Sequence, residues 1–328
     1  MSAAIPSAIP PAALPLAALP GTETLLPGLR GLDARPDADI LGILLDGQAR
    51  ALAAVRPAIP ALARAARMAS ECLSRDGRLI YLASGSPALI ALGDALELPQ
   101  TYGIDPTRVL LICPGGLDIT RALTGAPEDD TDAARADVAA IAPGRQDCVI
   151  GISASGSTPY TLAGLVAAQE AGARCIAMAS NPNAPLMSMG AMPVLLDTGG
   201  EVIAGSTRMG AGTAQKVALN ILSTLIGVHL GHVHDGLMIN LRADNDKLRA
   251  RAARMVVQIA GVTQAQAMQA LAASDGEVKP AVLIAAGVTD PVAARRLLGK
   301  TAGNLRAALA EAGVHAPVDD DADGETTP

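Results

Sequence analysis

Five short apolar runs recur through the middle of this chain, and they limit its fold more than any other feature. They read RLIYLAS (Arg78 to Ser84), RVLLICP (Arg108 to Pro114), DCVIGIS (Asp147 to Ser153), RCIAMAS (Arg174 to Ser180) and MPVLLDT (Met192 to Thr198). Each is the length of one strand, and none alternates apolar with polar residues, so each is expected to be covered on both faces. Ala-rich, helix-compatible sequence such as TPYTLAGLVAAQEAGA lies between most of them. That alternation predicts an α/β fold: a parallel-sheet, three-layer αβα sandwich with right-handed crossovers.

The flanks read as helices. Upstream, the stretch from Ala38 to Gly77 gives two helices parted near Pro57 and Pro60. Beyond Gly199, a Ser/Thr/Gly-rich head precedes a long apolar helix, and DNDKL opens another with Asp244 or Asn245 as its cap. From Val262 to about Leu309 three short helical segments are expected, parted by SDGEVKP and AGVTDP, with Asp290-Pro291 as a cap and first-turn proline. The expected division is a Pro/Ala-rich leader over 1–21, a main domain over 22–255, a three-helix C-terminal lobe over 256–312 and an acidic tail over 313–328. The leader lacks a basic start and is interrupted by prolines, and no later run is long and apolar enough for a bilayer. A soluble, cytoplasmic chain with no membrane partner is the expectation.

Composition narrows the partners. There is no Phe or Trp and there are only three Tyr, so base stacking lacks its platforms, and the formal charge of −7 opposes phosphodiester tracking. No nucleic-acid partner is expected; a small anion, which needs only local donors, remains allowed. Cys72, Cys113, Cys148 and Cys175 are far apart without ligand spacing and read as reduced thiols. His229, His232 and His234 lack an acidic or cysteine motif to complete a metal site, so no metal is expected.

The chemistry concentrates where the runs end. The first, third and fourth runs close on Ser84-Gly85-Ser86, on Ser153-Ala154-Ser155-Gly156 and on Ser180-Asn181-Pro182. In a sheet of this kind ligands gather outside the carboxyl ends of the strands. In GISASGSTPY, Ser153, Ser155, Ser157 and Thr158 precede Pro159 at a helix start. Such residues make turns and caps; they equally make a phosphate-sized cradle beneath the positive end of a helix. The motif by itself supports both readings. Ser206, Thr207 and Arg208 stand where they can face the same ligand, with Lys216 one to two helical turns further on.

Several blocks, in order, carry a resemblance: DALELPQTYGIDP (Asp94 to Pro106), GAPEDD (Gly125 to Asp130), GISASGSTPY, SNPNAPL (Ser180 to Leu186), GSTRMGAGTAQKVALNILST (Gly205 to Thr224) and DNDKL (Asp244 to Leu248). From about Thr22 to Leu309 the chain resembles the N-acetylmuramic acid 6-phosphate etherases, relatives of the glucokinase regulatory protein within the sugar isomerase (SIS) fold. The resemblance implies a C-terminal lobe of ubiquitin-associated (UBA-like) type, a homodimer whose pocket the second subunit completes, and a phosphorylated amino-sugar substrate. It implies elimination of D-lactate across C2–C3 of the open-chain sugar, then water addition, with no metal or redox cofactor. Two carboxyls of differing pKa suit that chemistry. The family's Glu-Cys-Pro-Pro-Thr block falls on Glu97, the acid for departing lactate and then the base for water; its Gly-Ala-Glu-Asp block falls on Glu128, assisting ring opening or proton handling at C2. Ser86, Ser153, Ser155, Ser157, Thr158, Ser206 and Thr207 are the expected substrate-binding residues.

The chain also departs from that pattern. Pro87 and Leu89 stand at the family's serine and arginine positions in the first loop, Ser157 at an arginine position and Gly210 at a lysine position. Each lost charge-assisted bond is worth about 1.5–3 kcal/mol. The resemblance is therefore compatible with an etherase, with an etherase-like enzyme of altered sugar phosphate, or with a sugar-phosphate-sensing regulatory protein. A sugar-phosphate isomerase is supported by the fold alone.

Overall fold

The computed structural model describes residues 21–116, 126–241 and 246–314. The leader through residue 20, the tail from 315, Gly125 and the cap candidates Asp244 and Asn245 lie outside the described residues.

All five apolar runs form strands: β1 (Leu79–Ala83), β2 (Val109–Ile112), β3 (Cys148–Ser153), β4 (Arg174–Ala179) and β5 (Met192–Leu195). They make one parallel sheet in the order β2-β1-β3-β4-β5, with Leu79 opposite Val109 and Cys148, and Ile176 opposite Met192. The absence of alternation in the sequence has a direct cause. Leu79, Tyr81, Ala83, Cys148, Ile150, Ile152, Ile176 and Met178 point into one core, while Ile80, Leu82, Val149, Cys175, Ala177 and Ala179 point into another.

Helices close both faces. The first core packs on α2 (Ile59–Leu73), α3 (Ser86–Tyr102) and α6 (Gly210–His229); the second packs on α4 (Thr131–Ile141) and α5 (Pro159–Glu170). The N-terminal α1 (Asp37–Ala53) lies against α6. Its separation from α2 falls at the expected prolines, where a short 3-10 turn, Arg56–Ala58, holds Pro57 and Pro60 starts α2. At the amino end of the sheet Arg78 and Asp147 tie β1 to β3. The Asp147 carboxylate accepts from the Arg78 backbone N–H at 2.8 Å, from its guanidinium at 2.7 and 3.1 Å, and from the Gly144 N–H at 2.9 Å. Burial alone would raise this carboxyl's pKa, but the bonds from Arg78 and Gly144 hold it below the ordinary range.

A hairpin of β6 (Val233–His234) and β7 (Leu237–Met238) leads to α7 (Asp246–Ala260), α8 (Gln264–Ala273), α9 (Val278–Ala285), α10 (Pro291–Lys300) and α11 (Leu305–Glu311). These share a third core running from Ile239 to Leu309. The sequence led us to expect three helices after Val262; the structure has four. The additional one, α11, is short, and Asn304 caps it by accepting from the Ala307 N–H at 3.0 Å. Asp290 caps α10 and Pro291 opens it, as expected. Helix α7 contributes Ala252, Met255, Val256 and Ile259 to this same core, so it packs with the lobe.

Candidate active site

The strand order reverses between β1 and β3, because β2 lies on one side of β1 and β3 to β5 on the other. In a sheet of this order the crevice outside that reversal is where ligands bind. Two of the three serine-bearing loops, those after β1 and β3, open onto it. After β1 the chain passes Ser84, whose hydroxyl lies 3.3 Å from that of Thr161 on α5, and turns at Gly85 with φ 63° and ψ −143°. Only glycine holds that backbone without strain. Ser86 then begins α3.

After β3 the hydroxyls order one another. Ser153 Oγ accepts from the Gly156 N–H at 3.0 Å and lies 2.8 Å from Thr158 Oγ1 and 3.4 Å from Ser155 Oγ. Ser155 Oγ accepts from the Ser157 N–H at 3.2 Å and from its hydroxyl at 3.1 Å. Gly156 has φ +70°, and a Cβ there would lie 2.4 Å from that of Ala184 and 2.9 Å from that of Ala179. The loop is therefore pressed onto the segment that follows β4, where the buried Ser180 hydroxyl has no hydrogen-bond partner.

Three helices start at this edge, and their caps differ. Thr158 precedes α5 but spends its hydroxyl on Ser153, and Gly85 precedes α3; neither N-cap makes a side-chain bond to its helix. By contrast α6 is closed by a buried carboxylate: Glu201 accepts from the Gly210 and Ala211 N–H groups, each at 2.8 Å. The positive ends of α3 and α5 remain available to an anion, and that of α6 is already neutralised. Glu201 escaped the sequence reading because its partners lie nine and ten positions on, beyond the spacing of any local capping motif.

The expected site residues separate into groups. Ser86, Ser153, Ser155, Ser157 and Thr158 lie on the two loops of the crevice, Ser153 buried and Ser157 exposed. Glu128 joins them: a Cβ on Gly85 would lie 2.9 Å from Glu128 Oε1, so the carboxyl rests against the turn. Burial, and after it the charge of Asp129, raises the Glu128 pKa above the ordinary glutamate range. Ser206 and Thr207 are half-buried in the turn before α6; the Thr207 carbonyl accepts from the Gly212 N–H at 2.8 Å, and Gly212 also abuts Ile90 of α3. Thr22 and Glu23 close on this turn, since the Gly205 N–H donates to the Thr22 carbonyl at 3.0 Å. Arg208 and Lys216 are exposed.

Glu97 is not brought to the loops within one chain. It is exposed about three turns along α3 from Ser86, roughly 16 Å away. On the same helix Leu89 and Leu96 are 45 % and 66 % exposed. One turn before it, Asp94 is buried and accepts from Tyr81 (2.7 Å), Asn220 (2.8 Å) and Ser223 (2.9 Å). Among the substituted positions, Ser157 and Leu89 face solvent, and a side chain on Gly210 would meet Glu201 Oε2 at 2.9 Å. Among the described residues no cluster of three or more His, Cys, Asp or Glu could hold a metal, and no helix is long and apolar enough to cross a membrane.

No family model matches this chain. Among solved structures it is similar to a phosphoheptose isomerase from Francisella tularensis (TM-score 0.46, 18 % identity, 59 % of this chain and 100 % of that one). Phosphoheptose isomerase GmhA from Neisseria gonorrhoeae is similar too (TM-score 0.42, 18 % identity, 55 % and 94 %). Curated relatives are more similar in sequence. The N-acetylmuramic acid 6-phosphate etherase of Deinococcus radiodurans is 41 % identical over 292 residues, covering 88 % of this chain and 95 % of that protein. The protein of the same name from Streptomyces coelicolor is 38 % identical over 291 residues (89 % and 94 %), and that from Salmonella choleraesuis 37 % over 289 residues (88 % and 97 %). At these identities, spread over nearly the whole of each relative, the chain belongs to the N-acetylmuramic acid 6-phosphate etherase family.

Proposed function

We propose that this chain cleaves the D-lactyl ether of N-acetylmuramic acid 6-phosphate, giving N-acetylglucosamine 6-phosphate and D-lactate, a lyase of amino-sugar recycling. The observation that carries the proposal is the crevice between β1 and β3, where two helix N-termini without side-chain caps meet hydroxyl-lined loops and the Glu128 carboxyl. The phosphate takes the Ser86 and Ser153-to-Thr158 loops, receiving backbone and hydroxyl hydrogen bonds, with Ser206 and Thr207 toward the sugar.

The reaction needs a base at C2, next to the open-chain carbonyl, and an acid at the ether oxygen on C3. Glu128, raised in pKa and half-buried, handles the C2 proton and ring opening. Glu97 protonates the departing lactate and, once ionised, draws a proton from the water that adds at C3. No redox step occurs and no cofactor is required. Since Glu97 lies three turns from its own loops, it serves the crevice of a second copy. An apolar surface supports that pairing: Leu41 and Leu45 of α1, Leu89 and Leu96 of α3, and Ile221 and Val228 of α6 are all exposed. These helices adjoin, α6 packing against both α1 and α3. The active form is thus a homodimer with shared sites.

Leu89, Ser157 and Gly210 favour one variant of this reading, an etherase acting on a related sugar phosphate. Incubation with N-acetylmuramic acid 6-phosphate and measurement of D-lactate decides it. Wild type is expected to release lactate, and Glu97→Gln to slow release by roughly 10²–10⁴-fold. Release that survives Glu97→Gln refutes that residue's role. Tight hexose 6-phosphate binding without lactate release replaces the enzyme with a regulatory protein.

A further inference from the structure

We propose that Asn240 is a positioning residue for the reaction: through the Tyr102 carbonyl it fixes the end of α3 that carries Glu97, and so ties the C-terminal lobe to the placement of that carboxyl. The inference rests on the etherase reading and on the role given there to Glu97.

Helix α3 is weakest just where it must be best placed. Pro99 lies inside it and has no N–H, so the Ala95 carbonyl has no helical partner, and the gap in the ladder spans Glu97. A proline here bends or loosens a helix unless its surroundings fix the path. The surroundings do so at the next turn. Asn240 Nδ2 donates to the Tyr102 carbonyl at 2.9 Å, and the Tyr102 hydroxyl donates to Thr224 Oγ1 of α6 at 2.9 Å. Contact at this end is close on two sides. A Cβ on Gly103 would lie 2.2 Å from the Asn240 carbonyl oxygen, and one on Gly227 would lie 2.7 Å from the Tyr102 ring.

Asn240 is in turn anchored in the lobe. Its neighbours Ile239 and Leu241 are both buried in the lobe core, so its amide cannot move without disturbing that core. His232 stands beside it, half-buried near the same Tyr102 carbonyl and near Lys279, whose ammonium donates to the Gly303 carbonyl at 3.0 Å. Burial, reinforced by the charge of Lys279, pushes the His232 imidazole down to about 4, so His232 itself is neutral near pH 7, while burial lowers Lys279 to about 8. The Tyr102 carbonyl belongs to the last turn of α3, where water can replace a missing partner. Losing Asn240 would then leave α3 folded but free to shift at its end. That is the signature of a positioning contact.

The test uses full-length Asn240→Ala and Asn240→Asp, the second keeping the shape while removing the donor. Lactate release from N-acetylmuramic acid 6-phosphate should fall on the order of tenfold to a hundredfold in kcat, with KM within about twofold, as for a small misplacement of a reacting group. Exchange of the C2 hydrogen of N-acetylglucosamine 6-phosphate in D2O, which draws on Glu128, should be unchanged. Amide exchange should quicken in the last two turns of α3 and stay slow in the sheet. Unchanged lactate release, an equal fall in both reactions, or unchanged amide exchange overturns the proposal. Absence of lactate release from the wild type overturns the etherase reading itself, and the role of Asn240 in it, before any variant is made.

Discussion

Pairing two inactive variants should restore activity. Within one chain Glu128 rests against Gly85, whereas Glu97 lies about 16 Å along α3 from the same turn. A group that exchanges a proton with the substrate must come within about 3 Å of it, directly or through one water. On the proposed reading one chain does not bring both carboxyls to one sugar, and each crevice pairs its own Glu128 with Glu97 of the other copy. Chains carrying Glu97→Gln and chains carrying Glu128→Gln should each be inactive alone. In a mixed dimer one crevice has both substitutions and the other has neither. Random mixing makes about half of the dimers mixed, with one intact site of two, so roughly a quarter of wild-type activity should return. Doubly tagged mixed dimers, purified from co-expression, should show about half of wild-type activity. If both carboxyls came from one chain, every site in a mixed dimer would carry one lesion and lactate release would stay at background. That result would refute the shared site and the distance argument beneath it.

Two further outcomes follow from geometry away from Glu97. Gly156→Ala sets a Cβ in a left-handed conformation, 2.4 Å from that of Ala184, and is expected to destabilise the fold by about 2–5 kcal/mol and weaken hexose 6-phosphate binding; unaltered melting and affinity would show that the loop yields freely. Asp147 has a depressed pKa, so its contribution is fully present above the unfolded carboxyl value near 4 and is lost as the pH falls through its lower folded value. Asp147→Asn should therefore cost about 2 kcal/mol at neutral pH, with the gap from wild type closing below about pH 4 in denaturant titrations. A gap independent of pH would mean the charge is not what matters.

The sheet was legible because burial on both faces leaves an unbroken apolar run, and each of the five runs became a strand. The loops were legible as turns for a related reason: glycine and small hydroxyl residues follow the buried runs directly, and there the chain turns into its next helix. The serines gather because they leave neighbouring strand ends, and Glu128 reaches them from the turn Ala126–Asp129 before α4. Glu97 shows the limit, since a motif points to a residue and says nothing of which copy of the chain it would serve in the proposed dimer. Helix α11 was missed as a separate element because its cap, Asn304, follows a turn of only a few residues after an Ala- and Leu-rich stretch. Long-range partners such as Glu201 with α6, or Asn240 with Tyr102, carry no sequence spacing at all.

The crevice loops hold their roots, Ser84, Ala154 and Gly156, in the interior and turn only a few positions to solvent, so what those few recognise can drift while the scaffold stays put. An exchange at Ser157, which faces solvent on the loop after β3, costs the packed layers almost nothing. On the proposed site, a lineage exchanges one sugar for another by editing a rim a few residues wide. The same economy makes this rim the natural place to redirect the enzyme by design.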